Sequence, residues 1–483
     1  MKLVGRVVLL MVLVSKIGTA GEVDPTKIEA IFADLKSNTA PGGAVLVIKD
    51  GRAVFSRGYG VTDLRSLGKI DAHTNFRLAS VSKQFTAMAI ILLVHDGKLR
   101  YDERLTDIFP DFPAYGRAIS VRHLLNHTSG LQDYEDLMSA GRCVSPEKIF
   151  QIKDAGVLTL LRQQTATKFA PGTSWEYSNS GYAVLAMIVE KVSDEEFGQF
   201  LQERIFGPLK MRNTVAYDRG KNEVLHRAYG HSRKEGVWQE TDQSPTSAVL
   251  GDGGIYSSLD DLAKWDEALR QHRLVSESEM RPAFTPAKLP AGSAVVRDKP
   301  AEYGFGWFLD SYKGHARMWH FGETVGFRTA IQRFVDDKLT IIVLCNREDV
   351  SAEALALKVA DMYLPRWAVL KPGLWRRWSG RRRRMVTGVH QVFQFLAGLE
   401  EWNFLSGNFH PVARLWIAAH TGLALAGAKA AKATNLDLVA YPKRAHDAVE
   451  DGLDDYFAIL ARQLRQAGDF IDQISFCHTR FAP

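Results

Sequence analysis

The sequence predicts an α+β fold: an antiparallel sheet built from N- and C-terminal strands, flanked by helices, with a largely helical inserted subdomain between the two groups of strands. Three observations carry this. Apolar, β-rich runs at Ala44–Ile48 and Ala53–Phe55 are joined through Asp50-Gly51, a dipeptide preferred in two-residue type I′ hairpins. Phe85, Met88, Ala89, Leu92 and Leu93 recur at helical spacing within Val81–His95, and Gly97 follows where that helix would stop. Much further along, Phe327–Phe334 and Leu339–Cys345 read as two more strands about an Asp336-Asp337 turn.

In chain order, residues 1–20 have the pattern of a secretory signal. Lys2 and Arg6 precede the apolar stretch Val7–Val14, and small Gly18 and Ala20 suit a cleavage site. The expectation is export, periplasmic or secreted after cleavage. Lys16 interrupts the run well before the roughly 18 apolar residues a membrane span needs. The first globular domain is expected over 25–365, with its helical insertion at about 99–250, where helical segments alternate with loops such as Pro171-Gly172. After Pro365 the character changes. Residues 366–385 interleave Trp367, Trp375 and Trp378 with basic residues, and 386–483 read as a mainly helical C-terminal extension of unassigned role.

The formal charge of +6 is unevenly spread over the 483 residues. Arg366–Met385 carries eight Lys or Arg and no acid, and residues 1–20 carry three more basic residues. The remainder is net negative by five, so no nucleic-acid partner is expected. The Trp/Arg segment at 366–385 reads first as a solvated linker, because His420 and Lys429 break the best apolar span that follows, with weak contact with an anionic lipid surface as the alternative. Cys143, Cys345 and Cys477 are an odd number without C-x-x-C spacing, which encodes neither a zinc ribbon nor a disulfide framework. His123 and His127 are spaced i, i+4 but have no evident third ligand, so no metal and no cofactor is expected.

Acyl transfer by a serine needs a base within hydrogen-bond reach and donors aimed at the developing oxyanion. S-x-x-K meets the first need, and it occurs at Ser66/Lys69, Ser80/Lys83 and Ser145/Lys148. Ser66 lies in a polar connection, and Ser145 precedes Pro146-Glu147 as a helix N-cap would. Ser80 enters an apolar helix, with its N–H near the positive end of the dipole and Lys83 on the same face. Tyr177-Ser178-Asn179 is the only Y-x-N, ahead of the apolar helix Tyr182–Val192, and a tyrosine flanked by cations can relay a proton. His-x-Gly occurs at His95, His320 and His420, but only His320-Phe321-Gly322 borders the strand pair. Gly322 there would allow close backbone approach by a substrate.

Ser80-Val-Ser-Lys83, Tyr177-Ser-Asn179 and His320-Phe-Gly322, in that order, resemble the three signatures of the penicillin-recognising serine hydrolases. Arg122–Gly130, Phe169–Thr173 and Gly253–Ser257 look like the branch holding class C β-lactamases, D-alanyl-D-alanine carboxypeptidases and family VIII esterases, and the likeness spans Ile28–Leu364. The resemblance implies Ser80 as nucleophile, Lys83 and Tyr177 sharing acid and base work, and Asn179 positioning the acyl side chain. It also implies His320 in the third-motif position, with the N–H groups of Ser80 and Glu323, next to Gly322, forming the oxyanion hole. The expected function is a serine hydrolase working through acyl-Ser80. The expected substrate is a small-molecule or peptide acyl donor: a peptidoglycan stem peptide, an ester or a β-lactam. His320 stands where β-lactamases of this branch usually have lysine. A neutral histidine attracts a substrate carboxylate weakly, which favours carboxypeptidase-like or esterase-like activity over β-lactam turnover. A β-lactamase and a non-catalytic penicillin- or peptidoglycan-binding envelope protein are the alternatives. Arg328 is a further candidate for a substrate carboxylate, or simply a surface arginine.

Overall fold

The computed structural model describes residues 23–139, 151–290 and 302–364. The signal, Ser145/Lys148, the Trp/Arg segment, the C-terminal extension, His420, Cys143 and Cys477 lie outside the described residues. Among the described residues no helix is long and apolar enough to cross a membrane.

The described residues form eleven strands: β1 (Gly43–Lys49), β2 (Arg52–Tyr59), β3 (Phe76–Arg77), β4 (Val215–Ala216), β5 (His231–Lys234), β6 (Val237–Glu240), β7 (Ile255–Ser257), β8 (Phe308–Tyr312), β9 (His315–Thr324), β10 (Phe327–Phe334) and β11 (Leu339–Cys345). The helices that matter for the site are α1 (Pro25–Ile31), α2 (Lys83–His95), α3 (Val121–Leu125), α4 (Tyr134–Ser139), α5 (Asp154–Arg162), α6 (Asn179–Ser193), α7 (Leu250–Gly253), α8 (Leu259–Gln271) and α9 (Ala352–Tyr363).

The principal sheet has the order β2-β1-β11-β10-β9-β8 and is antiparallel throughout. It is the expected α+β arrangement, with strands from both ends of the domain in one sheet. Asp50 (φ 52°) and Gly51 (φ 78°) both hold positive φ, as a type I′ turn demands, and β1 leaves that turn paired Lys49 to Arg52. One face of the sheet packs on α1 and α9 through Val45, Val47, Ile341 and Val343. The other packs on α2, α6 and α8 through Leu46, Ile342 and Leu344. Residues alternate between these cores because successive side chains of a strand point to opposite faces.

Two hairpins escaped the sequence pattern. β8–β9 turns at Lys313 (φ 50°) and Gly314 (φ 82°), and β5–β6 at Glu235 (φ 50°) and Gly236 (φ 83°). Both adopt the turn geometry of Asp50-Gly51 but lack the Asn or Asp that makes it legible. The insertion is therefore less purely helical than expected, since it carries β4, β5 and β6. Helix α2 is buried on every side from Lys83 to Leu93, so its apolar periodicity understated its depth.

Candidate active site

Ala79–Ser82 form one 3₁₀ turn that runs directly into α2. Regular α-helix thus begins at Lys83 rather than Val81. Ala79 has φ 48°, a left-handed conformation that costs a residue with a Cβ about 1 kcal/mol. The surroundings hold it there. Leu78 donates its N–H to Ile255 O (2.8 Å) and accepts at its carbonyl from the Thr329 hydroxyl (2.7 Å). Gly322 of β9 packs against the same turn so closely that a Cβ would collide with the Leu78 carbonyl and the Thr329 hydroxyl. The glycine of His320-Phe321-Gly322 is thus required by the protein's own backbone, not only by an approaching substrate. Residues three apart eclipse in a 3₁₀ turn, which brings Lys83 over Ser80, with Nζ donating to Oγ at 3.1 Å.

Ser80 is partly exposed, whereas Lys83 is fully buried. The other acceptors of the Lys83 amine are Asn179 Oδ1 (2.9 Å) and the Asp252 carbonyl (2.9 Å). All three partners are neutral oxygens: a hydroxyl, a side-chain amide and a backbone carbonyl. An amide oxygen and a backbone carbonyl only accept. Two of the amine's positions are therefore taken by donation to Asn179 and Asp252, and the third is turned to the Ser80 hydroxyl. The arrangement can take a proton from Ser80 and return it.

Ser178 caps α6, accepting from the Gly181 N–H (3.1 Å), and this sets Tyr177 just outside the helix and Asn179 at its first turn. The Tyr177 ring lies 4.9 Å from Lys83 Nζ, and its buried hydroxyl has no hydrogen-bond partner among the described residues. His127 stacks on it at 4.4 Å and accepts the Ser178 N–H at Nδ1 (3.1 Å). His123 likewise accepts the Ser120 N–H at Nδ1 (3.3 Å), within the capping box of α3. Both imidazoles of the i, i+4 pair are thus committed to backbone donors.

His320 is buried at the start of the β9 edge. Its Nδ1 lies 2.7 Å from the Phe321 carbonyl, which only accepts, so Nδ1 carries the hydrogen and Nε2 accepts from the Tyr303 hydroxyl (3.0 Å). Both ring nitrogens are spent inside the protein. Burial, followed by the charge of Lys83, pushes the imidazole down to about 3 from an ordinary 6.5. Burial acts the same way on His127, which lies well below the usual value. The sign of the resulting pH dependence follows. Below pH 6.5 the unfolded chain takes a proton at His320 that the native chain refuses until about pH 3. Stability therefore falls as the solution is acidified, by about 2 kcal/mol from this group between pH 7 and 5. In urea unfolding at those two pH values, His320→Gln, which keeps an acceptor for Tyr303, is expected to lose correspondingly less stability than wild type. An identical loss in both proteins refutes the neutral assignment.

β8 pairs with β9 only from Tyr312↔His315 to Phe308↔Trp319. Beyond that, His320–Thr324 has β10 on one side and, among the described residues, no strand on the other. Thr324 and Phe327 close a two-residue hairpin and exchange its ladder bonds, so the next residue, Glu323, turns its N–H to the open edge. Arg328 donates from Nη1 to the Thr324 and Phe327 carbonyls (2.8 Å each), which commits that nitrogen to its own hairpin.

Several residues of this cluster carried no readable sequence signal: His127 as a ring support, Asp133, Tyr303, Asp154 and Asp252. Asp133 receives the Asn179 N–H (3.0 Å) and the Glu135 N–H (3.0 Å). Asp252 is buried and accepts from the Tyr134 hydroxyl (2.8 Å); burial pushes its carboxyl up to about 6, against the pull of Lys83. Of the other motif copies, Ser66 is tied to Asp63 by its N–H (2.9 Å) and hydroxyl, and His95 pairs with Glu279 at the far end of α2. Cys345 is buried within β11, where burial pushes its thiol up to about 12.

A family profile described as Beta-lactamase matches residues 28–363. The chain is 33% identical over 350 residues to "Penicillin-binding protein 4*" of Bacillus subtilis (strain 168), covering 70% of this chain and 75% of the relative. It is 30% identical over 383 residues to a D-aminopeptidase of Brucella canis, covering 77% of this chain and 70% of that protein. Among solved structures, D-amino acid amidase from Ochrobactrum anthropi SV3, complexed with L-phenylalanine amide, superposes with a TM-score of 0.56 at 26% identity, covering 70% of this chain and 95% of that one.

Proposed function

The chain belongs to the β-lactamase family as a serine hydrolase, and on that premise we propose that it cleaves amide bonds through an acyl ester of Ser80. In the first half-reaction the Ser80 Oγ–H bond breaks and its proton passes to neutral Lys83. The Oγ–carbon bond forms, and the carbon–nitrogen bond breaks as Lys83 and Tyr177 return the proton to the leaving amine. Water then adds to the ester carbon, gives its proton to the same pair, and Ser80 leaves with that proton restored. The N–H groups of Ser80 and Glu323 hold the carbonyl oxygen while it carries negative charge. The observation that supports this best is the Lys83 amine, 3.1 Å from the Ser80 hydroxyl and held there by the Asn179 side-chain oxygen and the Asp252 carbonyl. Export forms part of the proposal and rests on the pattern of residues 1–20.

Within that chemistry we favour substrates that carry an amino group near the scissile bond over substrates recognised by a carboxylate. His320 is neutral, and Arg328 is engaged by its own hairpin. Carboxylates stand on the other side: Asp133 lies against Asn179, and beside it Glu135 is raised to about 7, first by partial desolvation and then by Asp133 and Asp252. Such crowding of like charge at a cleft favours a bound cation. The D-aminopeptidase relative is consistent with this reading. Penicillin binding is the second reading, favoured by the relative of 33% identity that bears that name. Turnover of D-phenylalanine p-nitroanilide, a peptide ending in D-Ala-D-Ala, p-nitrophenyl butyrate and benzylpenicillin separates them, with intact-protein mass recording any adduct. The expected result is turnover of the anilide at the highest kcat/KM. A lasting penicilloyl adduct without anilide cleavage moves the assignment to the second reading, and silence on all four sinks the catalytic one.

A further inference from the structure

The grip on Lys83 depends on the single turn of α7, and α7 is fastened at each backbone group that faces the site. The Thr86 hydroxyl donates to the Gly251 carbonyl (2.6 Å), Lys83 to the Asp252 carbonyl (2.9 Å) and Arg77 Nε to the Gly253 carbonyl (3.3 Å). The N–H groups at the start of the turn go to one side chain: Asp154, the first residue of α5, accepts from Leu250 N–H at Oδ2 (2.8 Å) and Gly251 N–H at Oδ1 (3.0 Å). Gly251 is pressed between this carboxylate and α6, where a Cβ would meet the Tyr182 carbonyl and the Ala186 methyl, so the turn has little room to slide.

Asp154 is nearly fully buried and has no salt-bridge partner among the described residues. Lys153 beside it is turned away to Asp218 (2.8 Å), and the charged group that faces it, Asp252 of α7, has the same sign. A carboxylate buried next to another carboxylate, with only N–H donors to hold it, costs stability for which the packing offers no return. The geometry points to what it does: we propose that Asp154 is a positioning residue for Lys83, its two oxygens clamping α7 so that the Asp252 carbonyl holds the amine against the Ser80 hydroxyl. This rests on Ser80 and Lys83 acting as proposed above, but Asp154 touches no reacting atom.

An ionised carboxylate accepts both N–H groups strongly, whereas protonation makes one oxygen a hydroxyl, a weaker acceptor that also brings an O–H donor into the clamp. Burial raises the Asp154 carboxyl to about 7, so the clamp loosens as the pH falls through neutrality. The test uses the full chain and a fluorophosphonate probe, which needs an activated serine but no knowledge of the substrate; intact mass gives kinact and KI at Ser80. Asp154→Asn replaces one acceptor with a donor, and it is expected to lower kinact about 10- to 100-fold with KI unchanged. The wild-type fall in kinact between pH 8 and 6 is expected to be absent in Asp154→Asn. Thr86→Val, which frees the Gly251 carbonyl without altering charge, is expected to lower kinact several-fold and to keep the wild-type pH limb. Wild-type kinact in Asp154→Asn, or a loss that only mirrors its unfolded fraction while the pH limb persists, overturns the proposal. Wild-type protein that is not labelled at Ser80 overturns the acyl-enzyme reading itself, and with it any role for Asp154.

Discussion

Replacing Ser80 by alanine is expected to abolish covalent labelling and to lower turnover by about six orders of magnitude, the scale seen when the nucleophile of a cooperating set is removed. The fold should survive. Ser80 is partly exposed, its hydroxyl accepts one bond from Lys83, and Lys83 keeps Asn179 Oδ1 and the Asp252 carbonyl. The decisive comparison is kcat/KM together with the thermal midpoint. A midpoint within about 2 °C of wild type with no measurable turnover assigns the loss to chemistry, since a change of 1 kcal/mol moves the midpoint of a large domain by roughly 2–4 °C. Retained turnover in the alanine variant would remove Ser80 from the reaction and leave the site without a nucleophile at its centre.

Lys83→Met is the second large effect. Methionine fills nearly the volume of the lysine stem but supplies neither donor nor base, so kcat is expected to fall by about 10²–10⁴, the usual contribution of a positioned base, with a smaller change in KM. Stability moves in two opposing directions. Removing a fully buried amine relieves its desolvation, while the Asn179 and Asp252 oxygens lose a donor at about 1–3 kcal/mol each. The variant should therefore fold with a modest change in midpoint, far too small to account for the rate. Equal kcat in Lys83→Met and wild type would show that the proton leaves Ser80 by another route, and Tyr177, whose buried hydroxyl has no partner among the described residues, is the candidate next in line.

Legibility of the site followed the range of the interactions. Ser80 and Lys83 are three residues apart within one turn, so their contact is written in local spacing. Tyr177 and Asn179 flank the cap of one helix, which local rules also reach. His320 was legible in position but not in state: nothing in His-Phe-Gly announces the Tyr303 hydroxyl, 17 residues upstream, that takes up its Nε2. The fold encloses both nitrogens of that imidazole, one against the Phe321 carbonyl and one against the Tyr303 hydroxyl. Gly322 is also required from within the protein, because the Leu78 carbonyl lies where a Cβ would stand.

The sequence by itself determined the hairpin at Asp50-Gly51, the buried helix behind Ser80, the β10–β11 pair and the order of the three motifs. Each of these depends on turn chemistry or periodicity within a short window. Only the tertiary structure decided that, of the two described S-x-x-K copies, Ser80/Lys83 meets a third and fourth partner, that β8 stops at Phe308 to leave the Glu323 edge open, and that Asp154 reaches α7 from another helix. Those outcomes depend on contacts between residues as much as 169 positions apart, as from Lys83 to Asp252. Their strength comes from burial, which weakens solvent competition for every charge and hydrogen bond in the site, and burial belongs to the packed molecule rather than to any stretch of its chain.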